Sequence, residues 1–343
     1  MKVPVKKVMI FRPASIGDCL MGKYFLENIR AQYPSVHCTL VVSSRAAMVR
    51  DLFAAYPWVE VLKVNKNPTS LVRFFSRGQQ DIVVTSYTGG VFGILPKLAA
   101  RAIARVLVGY SDRSKFNRFL YDKLVVLRGR SRAPRLLECD ALEVLGIPPT
   151  VVRPSFTYLP QPALLPRLGL EEKKYVVLHL FSGGQARGLS PARKQALIEV
   201  LAAAVPRGTR LVLTGSDKER ESLGERFPAC VLKAHTSLQE LAHLMDHAAL
   251  VVSLDTGAAH LAAHMGKPLI VLASCVGVQW WAPEMYGFDK LTAGGAGTPT
   301  ELFTRLDICK EGHDYSGYAQ CLDAIDMQAV ATKAAQILRQ LED

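Results

Sequence analysis

Residues 250–268 read LVVSLDTGAAHLAAHMGKP and decide the fold of this chain. The first five residues are mostly apolar and predict a buried strand, the next three are turn formers, and residues 258–265 favour a helix. Gly266 and Pro268 end that helix, and a second apolar strand begins at Leu269. The stretch therefore predicts a strand, a tight turn, a helix and a further strand.

The turn at residues 255–257 is a candidate anion site. Where a strand leads directly into a helix, several backbone N–H groups stay unpaired at the positive end of the helix dipole. Asp255, Thr256, Gly257 and His260 would surround that site. The alternative is that Asp255 or Thr256 only caps the helix, Gly257 only permits the turn and His260 is an ordinary first-turn residue.

The same alternation of strands and helices continues along the whole chain. It predicts two doubly wound α/β domains, with ligand sites at the carboxyl ends of the strands. Six prolines crowd between residues 148 and 166 and mark the boundary. We expect domains at residues 1–160 and 161–325, followed by a C-terminal helix at residues 326–343.

Two further loops follow predicted strands and carry candidate chemistry. The first lies after a strand at residues 7–11 and ends at Asp18. The second contains Ser182, Gly183 and Arg187 and precedes a helix that starts at Pro191. With the turn at residues 255–257, these loops would converge if the two domains faced each other.

The composition is that of a folded globular chain. Hydrophobic residues make up 49% and charged residues 21% of the 343 residues. No uncharged apolar stretch reaches the length of about 18 residues that a membrane-spanning helix needs. The chain enters its first strand without the apolar core of a signal peptide, so we expect the protein in the cytoplasm.

The seven cysteines are odd in number and scattered, and no Cys-x-x-Cys pair occurs. This pattern predicts thiols rather than a disulfide framework. Cys309, His313 and Cys321 are conceivable metal ligands, but a fourth partner at zinc spacing is missing. The sequence therefore predicts neither a metal site nor a cofactor.

The net charge of +12 is distributed unevenly. Residues 1–160 hold 24 basic and 10 acidic residues, whereas residues 161–343 hold 18 and 20. The basic excess peaks between Lys97 and Arg135, where eleven basic residues meet two acidic ones. This region is either a solvated face or a surface for a polyanion, such as an acidic lipid headgroup, a phosphorylated glycan or nucleic acid. The size of the asymmetry favours a polyanion.

Several common motifs are absent from the sequence. It contains no G-x-G-x-x-G, no G-x-x-x-x-G-K-[ST] and no G-x-S-x-G, which disfavours a nicotinamide dehydrogenase, a P-loop kinase and a serine hydrolase. No Asp-x-Asp occurs either, so a metal-clamped diphosphate site is not supported.

Two of the loops resemble those of a known family. Asp255-Thr256-Gly257, with His260 and Gly266-Lys267-Pro268, is similar to the nucleotide-sugar site of glycosyltransferase family 9, the bacterial lipopolysaccharide heptosyltransferases. Arg12 to Asp18 resembles the N-terminal motif of that family, an Arg followed by a small-residue loop that ends in Gly-Asp. Weaker matches extend the resemblance over nearly the whole chain.

The resemblance implies the GT-B fold, with two Rossmann-like doubly wound domains facing each other across a cleft. It also implies an inverting, metal-independent glycosyltransferase that moves a heptose from ADP-heptose to a lipopolysaccharide core acceptor. In such a fold, the C-terminal helix is expected to pack back on the N-terminal domain.

In this family the aspartate at the position of Asp18 acts as general base. The alternative is a capping box, in which Ser15 bonds the backbone at Asp18 and the carboxylate reaches back. Arg187 takes the place of a family lysine that binds the diphosphate, although this chain lacks the Trp of the family's Lys-x-Trp-Pro pattern.

The resemblance further implies a donor site made by several loops of the second domain. Glu219 is the candidate acid for the nucleoside ribose, with Asp217 as a neighbouring alternative. The expected donor-binding residues are Ser182, Gly183, Arg187, Glu219, Thr236, Asp255, Thr256, Gly257 and His260.

On the acceptor side we expect Arg12, Arg101, Arg105 and Arg113 to bind an acidic glycolipid. This expectation combines the basic first domain with the acceptor that the resemblance implies. It predicts peripheral contact with the cytoplasmic face of the inner membrane.

Two alternatives remain. A family 9 transferase with another nucleotide sugar would have the same motifs. A nucleic-acid-binding α/β protein would stack bases on aromatic residues in its basic region, where Phe116, Phe119 and Tyr121 lie near Arg118. The resemblance favours a transferase, for which no nucleic-acid partner is expected.

Overall fold

The computed structural model describes residues 4–342 except 14, 66, 86–93, 112–116, 127–133, 152–154, 224–226, 276–299 and 310–315. The chain divides into two compact units, Met1–Pro154 (unit 1) and Ser155–Asp343 (unit 2). Each contains a six-stranded sheet in which every described pairing is parallel. The predicted fold class, two doubly wound α/β domains, is confirmed.

Unit 1 has the strand order β3-β2-β1-β4-β5-β6. Its strands are β1 (Lys7–Phe11), β2 (His37–Val42), β3 (Val59–Lys63), β4 (Gln80–Val84), β5 (Ala104–Tyr110) and β6 (Lys123–Val125). Its helices are α1 (Ile16–Gln32), α2 (Ala46–Leu52), α3 (Pro68–Phe75), α4 (Ile94–Ile103), α5 (Asn117–Leu120) and α6 (Pro134–Val144).

Unit 2 repeats this topology with the order β12-β11-β10-β7-β8-β9. Its strands are β7 (Tyr175–His179), β8 (Arg210–Thr214), β9 (Val231–Ala234), β10 (Leu250–Leu254), β11 (Leu269–Leu272) and β12 (Thr300–Phe303). Its α-helices are α7 (Leu164–Leu168), α8 (Pro191–Ala204), α9 (Asp217–Glu221), α10 (Leu238–His247), α11 (Gly257–His264), α12 (Gln320–Asp323) and α13 (Met327–Glu342), and short 3-10 helices lie at Gln185–Arg187 and Leu306–Cys309.

Two neighbouring strands of the unit 2 sheet are buried along their whole length. All five residues of β10 and all four of β11 are buried, as expected for parallel strands covered on both faces. In each unit the strand order reverses direction beside the first strand, between β1 and β4 and between β7 and β10. A doubly wound sheet binds ligands at this switch point, outside the carboxyl ends of the strands.

The domain boundary lies six residues earlier than the sequence analysis placed it. Residues 155–160 belong to unit 2 because hydrogen bonds tie them to it. The Tyr158 hydroxyl donates to Asp246 over 2.8 Å, and the Leu159 N–H donates to Gln239 over 2.7 Å. Proline content locates the linker, but these side-chain contacts decide which unit its end joins.

The C-terminal helix α13 is part of unit 2. Its apolar face, which includes Val330, Ala334 and Ile337, is fully buried in the core that β7, β8 and β10 also form. The sequence analysis treated residues 326–343 as a separate element, whereas the structure includes them in unit 2. Packing of this helix on the N-terminal domain stays a prediction.

A buried ion pair supports the start of α1. The Arg12 guanidinium, which is 2% exposed, pairs with the carboxylate of Glu138 on α6, which is 1% exposed. Burial raises the pKa of Glu138, and the neighbouring Arg12 charge offsets only part of that rise. Gly22 lets α1 pack closely over Arg12, because a Cβ there would lie 2.8 Å from Arg12 Nε.

Among the described residues, no helix combines the length and the apolar character that crossing a bilayer requires.

The buried Arg12–Glu138 pair predicts a stability effect that can be measured. Glu138→Ala should lower the free energy of unfolding by about 3–5 kcal/mol, because it leaves the buried Arg12 charge without its carboxylate. Urea unfolding of the full chain measures this loss, with exposed Glu143→Ala on the same helix as the control. The double variant Arg12→Met/Glu138→Leu should recover most of the loss. Equal losses for the Glu138 and Glu143 variants would contradict the prediction.

Candidate functional site

Asp18 lies in the first turn of α1, directly after the carboxyl end of β1. Its backbone N–H donates to the hydroxyl of Ser15, the N-cap residue, over 3.0 Å, and the Ser15 hydroxyl donates to Asp18 Oδ2. The capping alternative is therefore half right, because the carboxylate bonds the Ser15 hydroxyl rather than reaching back to its backbone. The side chain stays partly exposed, so the cap and a catalytic carboxylate are compatible roles.

The thiol of Cys19 does not compete with Asp18 as a reactive group. Burial, together with the nearby Asp18 carboxylate, raises the pKa of Cys19 to about 12, against an opposing effect of Arg12. This thiol therefore stays protonated at neutral pH. Asp18 is the group of this turn that can accept a proton.

Arg12 does not have the exposure that acceptor binding requires. It is 2% exposed and is held by Glu138 beneath the turn that carries Asp18. The expected acceptor-binding role is therefore corrected to a supporting one, since the buried pair anchors the end of β1 from which α1 starts.

In unit 2, the loop after β7 presents polar groups at the carboxyl edge of the sheet. The Ser182 hydroxyl donates to the Gly184 carbonyl over 2.7 Å, and open space surrounds the position of a Gly183 Cβ. Arg187 ends the short 3-10 helix that follows and is exposed. An exposed guanidinium beside a helix start suits a phosphate oxygen.

The turn after β10 adds a helix N-terminus to the same edge. Thr256 is the N-cap of α11 and Gly257 is its first residue. The Thr256 side chain makes no capping bond, and its buried hydroxyl has no hydrogen-bond partner among the described residues. The interpretation that Thr256 is only a cap is therefore wrong, and the first-turn N–H groups of α11 are available to an anion.

Asp255 and His260 flank this turn. His260 Nε2 and Asp255 Oδ1 lie 3.9 Å apart, and both side chains are largely buried at 7% and 12% exposure. This distance is too long for a direct hydrogen bond but short enough for an electrostatic interaction. The two side chains therefore lie close together beside the turn.

Glu219 and Thr236 follow β8 and β9 at the same edge. Glu219 Oε2 accepts the Ser216 N–H over 2.8 Å and the Ser216 hydroxyl over 2.7 Å, so this carboxylate also caps α9. Thr236 is partly buried between β9 and α10. All nine expected donor-binding residues thus lie at the carboxyl edge of one sheet.

The alternative acid Asp217 has another function. It pairs with Arg220, which is 6% exposed and also donates to the carbonyls of Gly215 and Ala234. This arginine ties the end of β8 to the end of β9. Asp217 therefore helps to hold the ends of β8 and β9 together. Glu219 is the better candidate for binding a ligand hydroxyl.

Two residues of this region were missed by sequence reasoning. His179 ends β7, and its Nδ1 lies 3.1 Å from the Thr214 hydroxyl, which itself donates to the Leu178 carbonyl. The Thr214 oxygen therefore accepts, and His179 carries its proton on Nδ1. Burial lowers the pKa of His179 to about 4, although the Glu219 carboxylate opposes this shift, so the ring is neutral at physiological pH.

Lys194 is the second missed residue. It lies in the first turn of α8, is 7% exposed, and places Nζ 5.1 Å from the ring centre of Phe181 and 5.7 Å from that of Tyr318. Burial lowers its pKa, and the carboxylates of Glu219 and Asp323 counter this only in part. No carboxylate in the described part of the chain forms an ion pair with it. Helical periodicity gave no signal, because a lysine in a first turn normally faces solvent.

The basic residues expected on the acceptor side are divided by the structure. Arg101, near the end of α4, pairs with Asp122 over 2.5 Å, and Arg105, at the start of β5, pairs with Asp81 over 3.0 Å. Both lie at the amino edge of the sheet, whereas Asp18 lies at the carboxyl edge. These positions do not support acceptor binding by Arg101 and Arg105, which stays a prediction. Arg113 lies outside the described residues, and its role stays a prediction.

Arg45 is a basic residue at the correct edge that the sequence analysis overlooked. It follows the carboxyl end of β2, the neighbour of β1, and is exposed. Its backbone is in the left-handed region, with φ of 47°, although it is not a glycine. Such strain concentrates at functional positions. No carboxylate within the described ranges pairs with it.

The aromatic residues expected to stack nucleic-acid bases do not form a common surface. Tyr121 is 8% exposed and belongs to the core of unit 1, whereas Phe119 is 90% exposed. Phe116 lies outside the described residues. One exposed ring does not make a stacking platform, so this alternative loses its support.

One group of potential metal ligands occurs in the described part of the chain, formed by Cys275, Cys309 and Cys321. His313, which the sequence analysis considered with Cys309 and Cys321, lies outside the described residues. Cys275 takes part instead, three residues after the end of β11. Sequence spacing gave no signal for it because it lies 34 positions before Cys309.

Comparisons with known proteins give similarity to one glycosyltransferase family. A family model described as glycosyltransferase family 9 (heptosyltransferase) matches residues 191–274, which include Glu219, Thr236 and the turn at residues 255–257. Lipopolysaccharide heptosyltransferase 3 of Escherichia coli is 24% identical over 302 residues, which cover 81% of this chain and 86% of that protein.

Solved structures share the fold over nearly the full length. The E. coli ADP-heptose lipopolysaccharide heptosyltransferase II has a TM-score of 0.73 at 18% identity, covering 98% of this chain and 100% of that chain. The E. coli heptosyltransferase WaaC with ADP has a TM-score of 0.67 at 18% identity, covering 96% and 99%. These likenesses establish the GT-B fold, and the family model matches the part of the chain that contains the turn after β10. The chain is therefore similar to glycosyltransferase family 9 in part of its sequence and in its fold, and the comparisons indicate a glycosyltransferase.

Proposed function

We propose that this protein transfers a heptose from ADP-heptose to an acidic lipopolysaccharide core acceptor, with inversion at the anomeric carbon. The observation that carries the proposal is the grouping of Arg187, Ser182 and the α11 N-terminus at one sheet edge of unit 2. The relative and the solved structures support it, because their names refer to lipopolysaccharide, heptose and ADP. A family 9 transferase with another nucleotide sugar is the second candidate.

The donor's diphosphate would lie against the loops after β7 and β10. When the anomeric carbon–oxygen bond breaks, the leaving ADP gains negative charge. Fixed hydrogen-bond donors at this edge stabilise the developing charge more strongly in the transition state than in the bound donor. They are the Arg187 guanidinium, the Ser182 hydroxyl and the N–H groups at the start of α11. These groups supply the charge that a divalent ion supplies elsewhere, so we propose that the transfer step uses no metal. Added Mg²⁺ or Mn²⁺ should accordingly leave kcat unchanged.

Asp18 is the proposed general base. Its carboxylate would accept the proton of the acceptor hydroxyl as that oxygen attacks the anomeric carbon from the side opposite the diphosphate. Attack from that side inverts the configuration at the carbon. The reaction requires the acceptor held by unit 1 to reach the donor held by unit 2. The hydrogen bond from Ser15 leaves Oδ1 to perform the proton transfer.

The acceptor is proposed to meet unit 1, which carries the basic excess. Arg45 and Arg113 are the candidate contacts, Arg45 because of its place at the carboxyl edge and Arg113 because it follows β5 in the sequence. An acidic glycolipid brings these residues to the membrane surface. Peripheral contact with the cytoplasmic face of the inner membrane is therefore part of the proposal.

Asp18→Asn should lower kcat by about 10²–10⁴-fold, since it removes the proton acceptor and keeps the side-chain shape. Transfer from ADP-heptose to heptose-deficient lipopolysaccharide core measures the rate, and calorimetry measures ADP binding. ADP affinity should not change, because its proposed site lies in unit 2. Ser15→Ala is the control, since it removes the cap bond and keeps the carboxylate. An Asp18→Asn variant with normal kcat would refute the proposed base.

Arg187→Gln and Lys194→Met should each weaken ADP binding by about 10–100-fold, the effect of losing one charged contact of about 1.5–3 kcal/mol. Lys174→Met is the matched control, because Lys174 is an exposed lysine at the amino end of β7 that pairs with Glu171. A panel of ADP-heptose and other nucleotide sugars, tested with the wild-type protein, separates the two candidate donors. Unchanged ADP affinity in both variants would place the diphosphate elsewhere.

Arg45→Gln should raise the acceptor KM by about tenfold or more and leave ADP binding unchanged, because it removes a cation at the edge that carries Asp18. Arg105→Gln is the control from the amino edge. Its exposed ion pair contributes little, so its acceptor KM should stay within about twofold of wild type. A larger effect for Arg105→Gln than for Arg45→Gln would contradict the assignment of the acceptor to the carboxyl edge.

A further inference from the structure

Three cysteine side chains from distant parts of unit 2 meet at one point. Cys275 follows β11, Cys309 ends the 3-10 helix Leu306–Cys309, and Cys321 lies in α12. Their sulfur atoms all lie within 4.8 Å of one another. The Sγ atoms of Cys275 and Cys321 are 3.8 Å apart, and the Cys275 N–H donates to the Cys321 sulfur over 3.4 Å.

The spacing of these sulfur atoms fits a shared metal ion. A zinc–sulfur bond of about 2.3 Å in a tetrahedral site places two thiolates about 3.8 Å apart. The Cys275–Cys321 distance has this value already, and Cys309 needs to move by no more than about 1 Å to match it. Three thiols also form a softer ligand set than any other group in the described residues, which favours a thiolate-preferring ion over Mg²⁺.

Other functions of three adjacent thiols fit the structure less well. A disulfide would require a sulfur–sulfur distance of about 2.05 Å and would leave the third thiol unused. No disulfide joins any of the seven cysteines. A shared metal ion, in contrast, would use all three thiols.

We propose that Cys275, Cys309 and Cys321 bind one thiolate-preferring divalent ion, for which Zn²⁺ is the representative. Each thiol gives up its proton when the ion binds. Among the described residues, no fourth carboxylate, imidazole or thiol belongs to the group. Three protein ligands leave the fourth tetrahedral position to solvent or to a further ligand.

The ion would act as a structural staple. It would join the end of β11 to the chain segment at residues 306–323, which immediately precedes α13. The end of β11 is also where Leu272 accepts the Asp255 N–H over 3.0 Å, so the staple lies one strand away from the turn that begins α11. Bound metal should therefore stabilise unit 2. This role is independent of the proposed transfer step, which is assigned to residues outside the cysteine cluster.

Cobalt substitution tests the proposal on the full-length chain. The reduced protein, freed of metal by a chelator, is titrated with Co²⁺ and then with Zn²⁺. We expect one equivalent of Co²⁺ to give the sulfur-to-cobalt charge-transfer band and the intense visible absorption of a tetrahedral thiolate site. Zn²⁺ should displace it, and thermal unfolding should shift to higher temperature with one equivalent of Zn²⁺.

Single substitutions identify the ligands. Cys309→Ser, at a partly buried position, and Cys321→Ser should each weaken Zn²⁺ binding by about a hundredfold or more, since the loss of an outer-shell partner alone weakens metal binding by about 10–100-fold. Cys230→Ser, a partly buried cysteine of the same unit, is the control and should bind as wild type does. Circular dichroism checks that each variant is folded. If Cys321→Ser does not fold, the comparison of Zn²⁺ affinities rests on Cys309→Ser.

Three results would overturn the proposal. The first is the absence of thiolate-to-cobalt absorption in the wild-type protein. The second is equal Zn²⁺ affinity in Cys309→Ser, Cys230→Ser and wild type. The third is a Cys275–Cys321 disulfide in protein purified without reductant, detected by thiol counting and mass spectrometry.

Discussion

The parallel alignment of the strands is the constraint on which the rest of this structure depends. Because all strands of a sheet run in one direction, every strand-to-helix turn lies at the same edge, and every helix presents its unpaired N–H groups there. The loops after β7, β8, β9 and β10 are far apart in the sequence but share this edge in unit 2. A site suited to an anion thus follows from topology before any side chain is chosen.

The sequence predicted the fold well, because the fold depends on local patterns. The apolar run of β10, the turn at residues 255–257 and the glycine that ends the next helix each have a direct physical meaning. Buried cations are harder to predict. Lys194 and Arg12 look like solvated residues in the sequence, and only the packing of Phe181 and Glu138 against them shows otherwise.

The acceptor side shows where composition misleads. The basic excess of the first half is real, but charge counted along the sequence does not indicate the edge of a sheet at which a side chain lies. Arg101 and Arg105 belong to the end of α4 and the start of β5, and both positions face the amino edge. Their neighbours Asp122 and Asp81 also neutralise them. The direction of β5 could be predicted from the sequence. Taking it into account would have placed Arg101 and Arg105 at the amino edge and would have led to Arg45, which follows the carboxyl end of β2.

Glu138 and Asp18 are two carboxylates of unit 1 that lie in contrasting environments. Glu138 is buried against Arg12, and removing either partner alone would leave a charge in the core, so this pair is constrained to remain intact. Asp18 is only a few residues from Arg12 but lies on the solvent side of the same turn, held by a neutral hydroxyl rather than by a cation. A carboxylate paired with arginine would be a weaker base, because the cation stabilises its charged form. The pairing of Arg12 with Glu138 therefore occupies the guanidinium next to this turn, while the Asp18 carboxylate keeps a neutral hydrogen-bond partner.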